Sequence, residues 1–286
     1  LGTDQSLIGQ GADFTFSTGE VLDGDVSTSP VITGTISGTN VGTATVSGLT
    51  ASTLALTINA GTADIDVFNN TFNGATLDGL LDLNTSGSAD VRIDVVDNTF
   101  NSGGSTSSGI EFELADSSEV DFNINNNDID VGGGNGVEFV AIGSPKVEGR
   151  VNSNTIDENS IAGSGISLLA NTGIAVSPIV ILEIDGNTIA GISNNNDGGI
   201  RLQPGRGTLD ATINNNTIDI ASTAVSGLFL EGQSGGDAVM TINATNNDVD
   251  EIGATTSAYA FVESGGTLLV EGFTGDLAAT LATNGN

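Results

Sequence analysis

Apolar residues recur at every second position in a series of short stretches, and each stretch ends at the same distance from an asparagine. Three residues before that asparagine stand Val67, Val95, Ile124, Val151, Ile184, Ile213 and Ala244. Five before it stand Ile65, Ile93, Phe122, Gly149, Leu182, Ala211 and Ile242, and seven before it Ala63, Val91, Val120, Val147, Val180, Leu209 and Met240. The positions between are mostly polar or charged. Such alternation predicts half-buried β-strands, because successive side chains of a strand point to opposite faces. A turn former follows each stretch (Asn69, Asp97, Asn126, Ser153, Gly186, Asn215, Asn246), then the asparagine, then Thr or Asp and an apolar residue. A further strand opens nine to twelve residues past the asparagine, usually on glycine, as in Gly109-Ile110-Glu111-Phe112, Gly136-Val137-Glu138-Phe139, Gly165-Ile166-Ser167-Leu168, Gly199-Ile200-Arg201-Leu202 and Gly227-Leu228-Phe229-Leu230. Gly79 opens a looser version, and Ala258 replaces the glycine ahead of Tyr259-Ala260-Phe261.

The marker asparagines are Asn70, Asn98, Asn127, Asn154, Asn187, Asn216 and Asn247, spaced 28, 29, 27, 33, 29 and 31 residues apart. A period in this range signals a solenoid, in which one coil cannot bury its apolar face but stacked coils share a continuous core. Three short strands per repeat, with no helix-period segment, predict an all-β fold: a right-handed, three-sheet parallel β-helix with an Asn-rich turn ladder. Stacking puts each repeat position in a column at about 4.8 Å spacing. The asparagine column is expected both to bond along the stack and to tolerate a left-handed turn. A β-sandwich also alternates, but has no reason to keep Asn at one place in seven successive units. A left-handed β-helix would show hexapeptide periodicity, and a Ca²⁺-binding nonapeptide roll would show G-G-x-G-x-D runs; neither pattern occurs. One domain over 1–286 is expected, with irregular opening coils over 1–60, regular coils over 61–257 and a terminal coil over 258–286.

Runs such as Ile213-Asn214-Asn215-Asn216-Thr217-Ile218, each followed by a Gly-led strand, resemble the pectin-lyase-like superfamily of right-handed parallel β-helices, and above all the repeats of large secreted bacterial surface proteins and adhesins. Asp4-Gln5-Ser6-Leu7-Ile8-Gly9-Gln10-Gly11 looks like the first coil of such proteins, and Val46-Ser47-Gly48-Leu49 like the turn that follows. The resemblance spans nearly the whole chain. It implies fold much more than function, because this fold hosts lyases, hydrolases, tailspikes and plain stalks.

The charge narrows the partners. With 36 Asp plus Glu against 5 Lys plus Arg, the net charge is −31, while 37% of residues are hydrophobic. That apolar share is enough to drive folding, so the chain is not a disordered acidic tail. Nucleic acid is an unsuitable partner, because its phosphates need Lys and Arg. There is no cysteine, and no run of about 18 apolar residues to span a bilayer. The opening Leu1-Gly2-Thr3-Asp4 looks like mature or excised sequence rather than a signal peptide. Localisation is expected to be extracellular or at the cell surface.

The chemistry expected of an enzyme is thin. Lyases and polygalacturonases of the resembled superfamily use an Arg or Lys base beside Ca²⁺-holding carboxylates, or clustered Asp with His. This chain has no His, and its basic residues are Arg92, Lys146, Arg150, Arg201 and Arg206. Arg92 and Arg150 fall at outward strand positions beside Asp64, Asp121 and Glu148, where cross-strand charge pairing is expected. There is no Trp and one Tyr, and most of the 11 Phe, including Phe72, Phe100, Phe112 and Phe139, take inward positions. No catalytic or cofactor-binding residue is therefore assigned. One column remains a candidate for Ca²⁺: Asn73, Asn101, Asp130, Asp157, Ala190, Asp219 and Asp250, with Asp130, Asp157, Asp219 and Asp250 as the ligands. The expected function is a non-enzymatic structural or adhesive rod, a segment of a surface filament, surface layer or adhesin that associates end to end. The alternative is a carbohydrate-active β-helix or tailspike-like glycan binder. Aromatic-bearing loops would favour it, but the longest irregular insertions, Asn171 to Pro178 and Gly19 to Thr39, carry few aromatics.

Overall fold

In the computed structural model the described residues are strands and turns with no helix among them, and parallel strands stack as a β-solenoid of about six turns. The structure describes residues 5–8, 14–15, 21–22 and 31–283, apart from 75–78, 104–106, 159–162, 171–176, 193–197, 222–225, 233–237, 253–256, 264–266 and 275–278. Three runs of parallel pairing build the coil. In the first sheet, the strand ahead of each marker asparagine pairs with its counterpart one coil on, as Glu119–Asn125, Lys146–Asn152, Ile179–Asp185, Thr208–Asn214 and Val239–Thr245. The second sheet holds the short strands after the asparagine, from Thr71–Asn73 to Asp248–Ile252. The third holds the Gly-led strands, among them Ile110–Asp116, Val137–Gly143, Ile166–Ala170, Gly198–Pro204, Ser226–Gly232 and Ser257–Glu263. Two longer strands run through corners: Leu81–Val96 passes from the third sheet into the first, and Thr50–Phe68 starts in the second sheet beside Thr71–Asn73 and continues through the third into the first.

Register is what turns the alternation into a core. Val67, Val95, Ile124, Val151, Ile184, Ile213 and Ala244 are direct partners in succession, so this column stays on one face from Val67 to Ala244. All seven are buried. A slip of one residue would turn every one of them to solvent. The phenylalanines also stack inside: Phe72 on Phe100 at 5.2 Å between ring centroids, and Phe122 on Phe139 at 4.7 Å.

Glycine opens the third-sheet strands for a packing reason. A Cβ on Gly136 would lie 2.4 Å from Ile156 Cγ2 and 2.6 Å from the Gly165 carbonyl oxygen; one on Gly199 would lie 2.2 Å from Ile218 Cγ2. In these coils the isoleucine that follows the marker Thr or Asp (Ile129, Ile156, Ile189 and Ile218) presses against the column, and at Gly109, Gly136, Gly165 and Gly199 it leaves no room for a side chain.

The left-handed turn falls one residue earlier than expected. Asn69, Asp97, Asn126, Ser153, Gly186, Asn215 and Asn246 have φ between 53° and 64°, and no marker asparagine is left-handed. The two duties are divided: the exposed residue reverses the chain, while the asparagine turns its amide inward along the stack.

Three further readings change at the ends of the stack. Thr43–Ser47 lies in register with Asp64–Phe68, so paired coils extend upstream of residue 61; the asparagine marker fails there because Leu49 stands in its place. Leu80, not Gly79, is the residue opposite Gly109, since Leu81 partners Ile110. Val31–Thr39, read as part of an irregular insertion, is a strand paired to Thr50–Thr57.

Candidate functional site

The most developed polar construction is the asparagine ladder. Asn98 Oδ1 accepts two bonds from Asn70, its backbone N–H at 3.0 Å and its Nδ2 at 3.0 Å. Asn98 in turn donates from its backbone N–H to Asn127 Oδ1 at 2.9 Å, and from Nδ2 to the same oxygen at 3.1 Å and to the Val67 carbonyl at 2.9 Å. The pattern repeats through Asn127, Asn154, Asn187 and Asn216 to Asn247: the asparagine-to-asparagine bonds are always donated toward the C-terminal coil, while each Nδ2 also donates back to a carbonyl of the preceding coil. At the upstream end, Leu49 supplies only a backbone N–H, to Asn70 Oδ1 at 3.1 Å. From Asn70 to Asn216 these side chains are at most 2% exposed. Their hydrogen-bonding capacity is used within the stack, so the ladder is a structural site with nothing left over for a ligand.

The outer face of the first sheet carries three of the five basic residues. Arg92 binds Asp64 at 2.7 Å and also contacts Asp94; Arg150 lies 3.6 Å from Glu183, and Lys146 3.9 Å from Glu119. Charge pairing is therefore what Arg92 and Arg150 do. Arg150, however, pairs with Glu183 one coil on and not with Glu148. Beside this cluster the Asp66 carboxyl is pushed above the usual range, first by burial and then by Asp94 and Asp64, with Arg92 opposing.

On the third sheet, Asp82, Glu111 and Glu138 are direct cross-strand partners in one outward column. Asn84 Nδ2 donates to both oxygens of Asp82 at 2.9 Å, and Ser108 Oγ donates to Glu138 at 2.8 Å. Sequence reasoning passed over this column, although its signal, an acidic residue two past the glycine column, was visible in Glu111 and Glu138. Further along the same face the Arg201 guanidinium sits 5.7 Å over the Phe229 ring, a cation–π contact. Arg206 precedes Thr208–Asn214 and is half-buried.

The candidate Ca²⁺ column is only partly assembled. Asp130 partners Asp157, and Asp219 partners Asp250, but Asp157 partners Ala190, and a register shift follows Ile189. The four aspartates form two separated pairs. Among the described residues there is no group of three or more Asp, Glu, His or Cys able to hold a metal ion.

One groove of about 310 Å³ lies on the first sheet over Gly149 and Leu182. Glu148, Ile181 and Asp210 edge it on one side, and Arg150, Glu183 and Thr212 on the other. Among the described residues no helix is long and apolar enough to cross a membrane. No protein-family model matches the chain, and neither a curated protein nor a solved structure matches it significantly.

Proposed function

We propose that this chain is a non-enzymatic, extracellular structural or adhesive rod, a segment of a surface filament, surface layer or adhesin akin to the repeats of pectin-lyase-like surface proteins. The observation that carries the reading is the ladder. Seven asparagines, nearly every one sealed from solvent, spend their donors and acceptors on holding one coil to the next. Coil-to-coil bonding this regular suits a long, stiff rod. The lack of His and the pairing of Arg92 and Arg150 with carboxylates support it, since the His and arginine bases used by the lyases and polygalacturonases it resembles are missing or engaged. A charge of −31 suits a rod that must stay dispersed outside the cell. Rods of this kind associate end to end, because the backbone edge of a terminal coil offers unpaired N–H and C=O groups to another coil. Negative-stain imaging of the purified protein is the test: single rods that lengthen into filaments with concentration are expected. Compact globular particles at every concentration would overturn the reading.

A further inference from the structure

We propose that the groove over Gly149 is a binding site for a linear aliphatic diamine, an alkyl chain bearing an ammonium group at each end. The groove is built by packing beneath it. Gly149 is the one glycine in an inward column otherwise filled by Ile65, Ile93, Phe122, Leu182, Ala211 and Ile242. A Cβ there would lie 2.6 Å from two atoms of the Phe122 ring and 2.5 Å from the Phe122 carbonyl oxygen. The backbone of Lys146–Asn152 therefore rests directly on that ring, and the outer surface dips above it.

The rim has an order that matches one ligand. Glu148, Ile181 and Asp210 are direct partners on three successive strands, giving carboxylate, exposed apolar side chain, carboxylate. The two carboxylates sit two strand spacings apart, roughly 10 Å between their backbones. Ile181 between them is 42% exposed, an uncovered methyl surface over which an alkyl chain can lie. In the parallel row Arg150 is drawn to Glu183 at 3.6 Å, so those two charges offset each other, and Thr212 is neutral. Glu148 and Asp210 make no ion pair with any described residue, and Asp121, the partner of Glu148 on its other side, adds negative potential. A monoamine satisfies one end only. A sugar finds no aromatic platform among the lining residues, and an anion meets the field of a chain at −31.

The test is titration of the intact protein with cadaverine and with pentylamine at low ionic strength, followed by backbone amide shifts in NMR spectra. Cadaverine is expected to bind roughly tenfold or more tightly than pentylamine, with shifts centred on Ile181. Glu148→Gln and Asp210→Asn should each reduce cadaverine to the pentylamine level, while Asp90→Asn, an equal loss of charge elsewhere on the same sheet, should leave its binding unchanged. Equal binding of the two amines, or an equal effect of Asp90→Asn, would mean a diffuse counter-ion atmosphere and would overturn the proposal.

Discussion

A single ladder asparagine answers for several hydrogen bonds, so its loss should depend on position. Asn127→Ala leaves the buried backbone N–H and Nδ2 of Asn98 without their acceptor and removes the bonds that Asn127 itself donates. Orphaned buried donors cost about 1–3 kcal/mol each, so a loss of at least about 2 kcal/mol is expected in denaturant unfolding. Asn70→Leu should cost less, because upstream of it only the Leu49 N–H is orphaned. Equal losses at the two sites would contradict the directional ladder. Gly136→Ala should also destabilise, by about 1–3 kcal/mol, since the atoms in the way include the Gly165 carbonyl oxygen, which cannot swing aside. Asp66 should act in the opposite sense. Its pKa is raised on folding, so the folded state holds the Asp66 proton more tightly than the unfolded chain does. The resulting penalty is present at neutral pH and fades as pH falls through the raised folded value toward the unfolded value of about 3.9. Asp66→Asn should therefore raise the melting temperature at pH 7, with a gain that shrinks near pH 4 in calorimetry.

At the scale of the strand and sheet, the electrostatics are those of crowded outward columns. Arg92 sits between Asp64 and Asp94, with the more buried Asp66 nearby, and is itself more than half exposed. Exposed ion pairs contribute between nothing and about 1 kcal/mol, so Arg92→Gln should cost no more than that. What it should change is salt response: without the guanidinium, carboxylate repulsion on this sheet grows, and added NaCl should recover more stability than in the parent. A melting temperature gap between variant and parent that persists unchanged at high salt would show that the Arg92 stem acts by packing.

For the whole molecule, stacking makes coil-to-coil contact the source of stability, and in the proposed end-to-end assembly the same contact is the means of growth. Head-to-tail contacts of this heterologous kind propagate as open fibres unless the rotation closes a ring. Because each unit carries −31, association should strengthen as salt screens the repulsion, with a Debye length of about 10 Å at 0.1 M. Sedimentation across protein and NaCl concentrations should show rising mass; a monomer throughout would argue against end-to-end assembly.

The repeat period, the strand alternation and the asparagine column were legible in the chain because a solenoid places the same demand on the same position in every coil. A demand repeated seven times becomes a visible column. The parallel all-β stack followed from that, with the inward residues named correctly. What occurs once left no column, and only the tertiary structure decided it. Leu277, Ala279 and Leu281 stand seven, five and three residues before Asn284, the same spacing as in the regular coils and so the mark of a first-sheet strand, yet Ala279–Thr283 pairs with Tyr259–Glu263 in the third sheet. Leu277 and Asn284 lie outside the described residues. A period of two suits any of three half-buried sheets, and which one a strand joins is set by the length and path of the loop before it. The left-handed residue was likewise assigned to the asparagine, because both turn positions favour the same residue types, and only backbone geometry separates them. The groove over Gly149 was hidden for a related reason. In sequence Gly149 is a gap in an apolar column; that Phe122 fills the space beneath it, and that Glu148, Ile181 and Asp210 then line up above, depends on contacts between residues one coil apart.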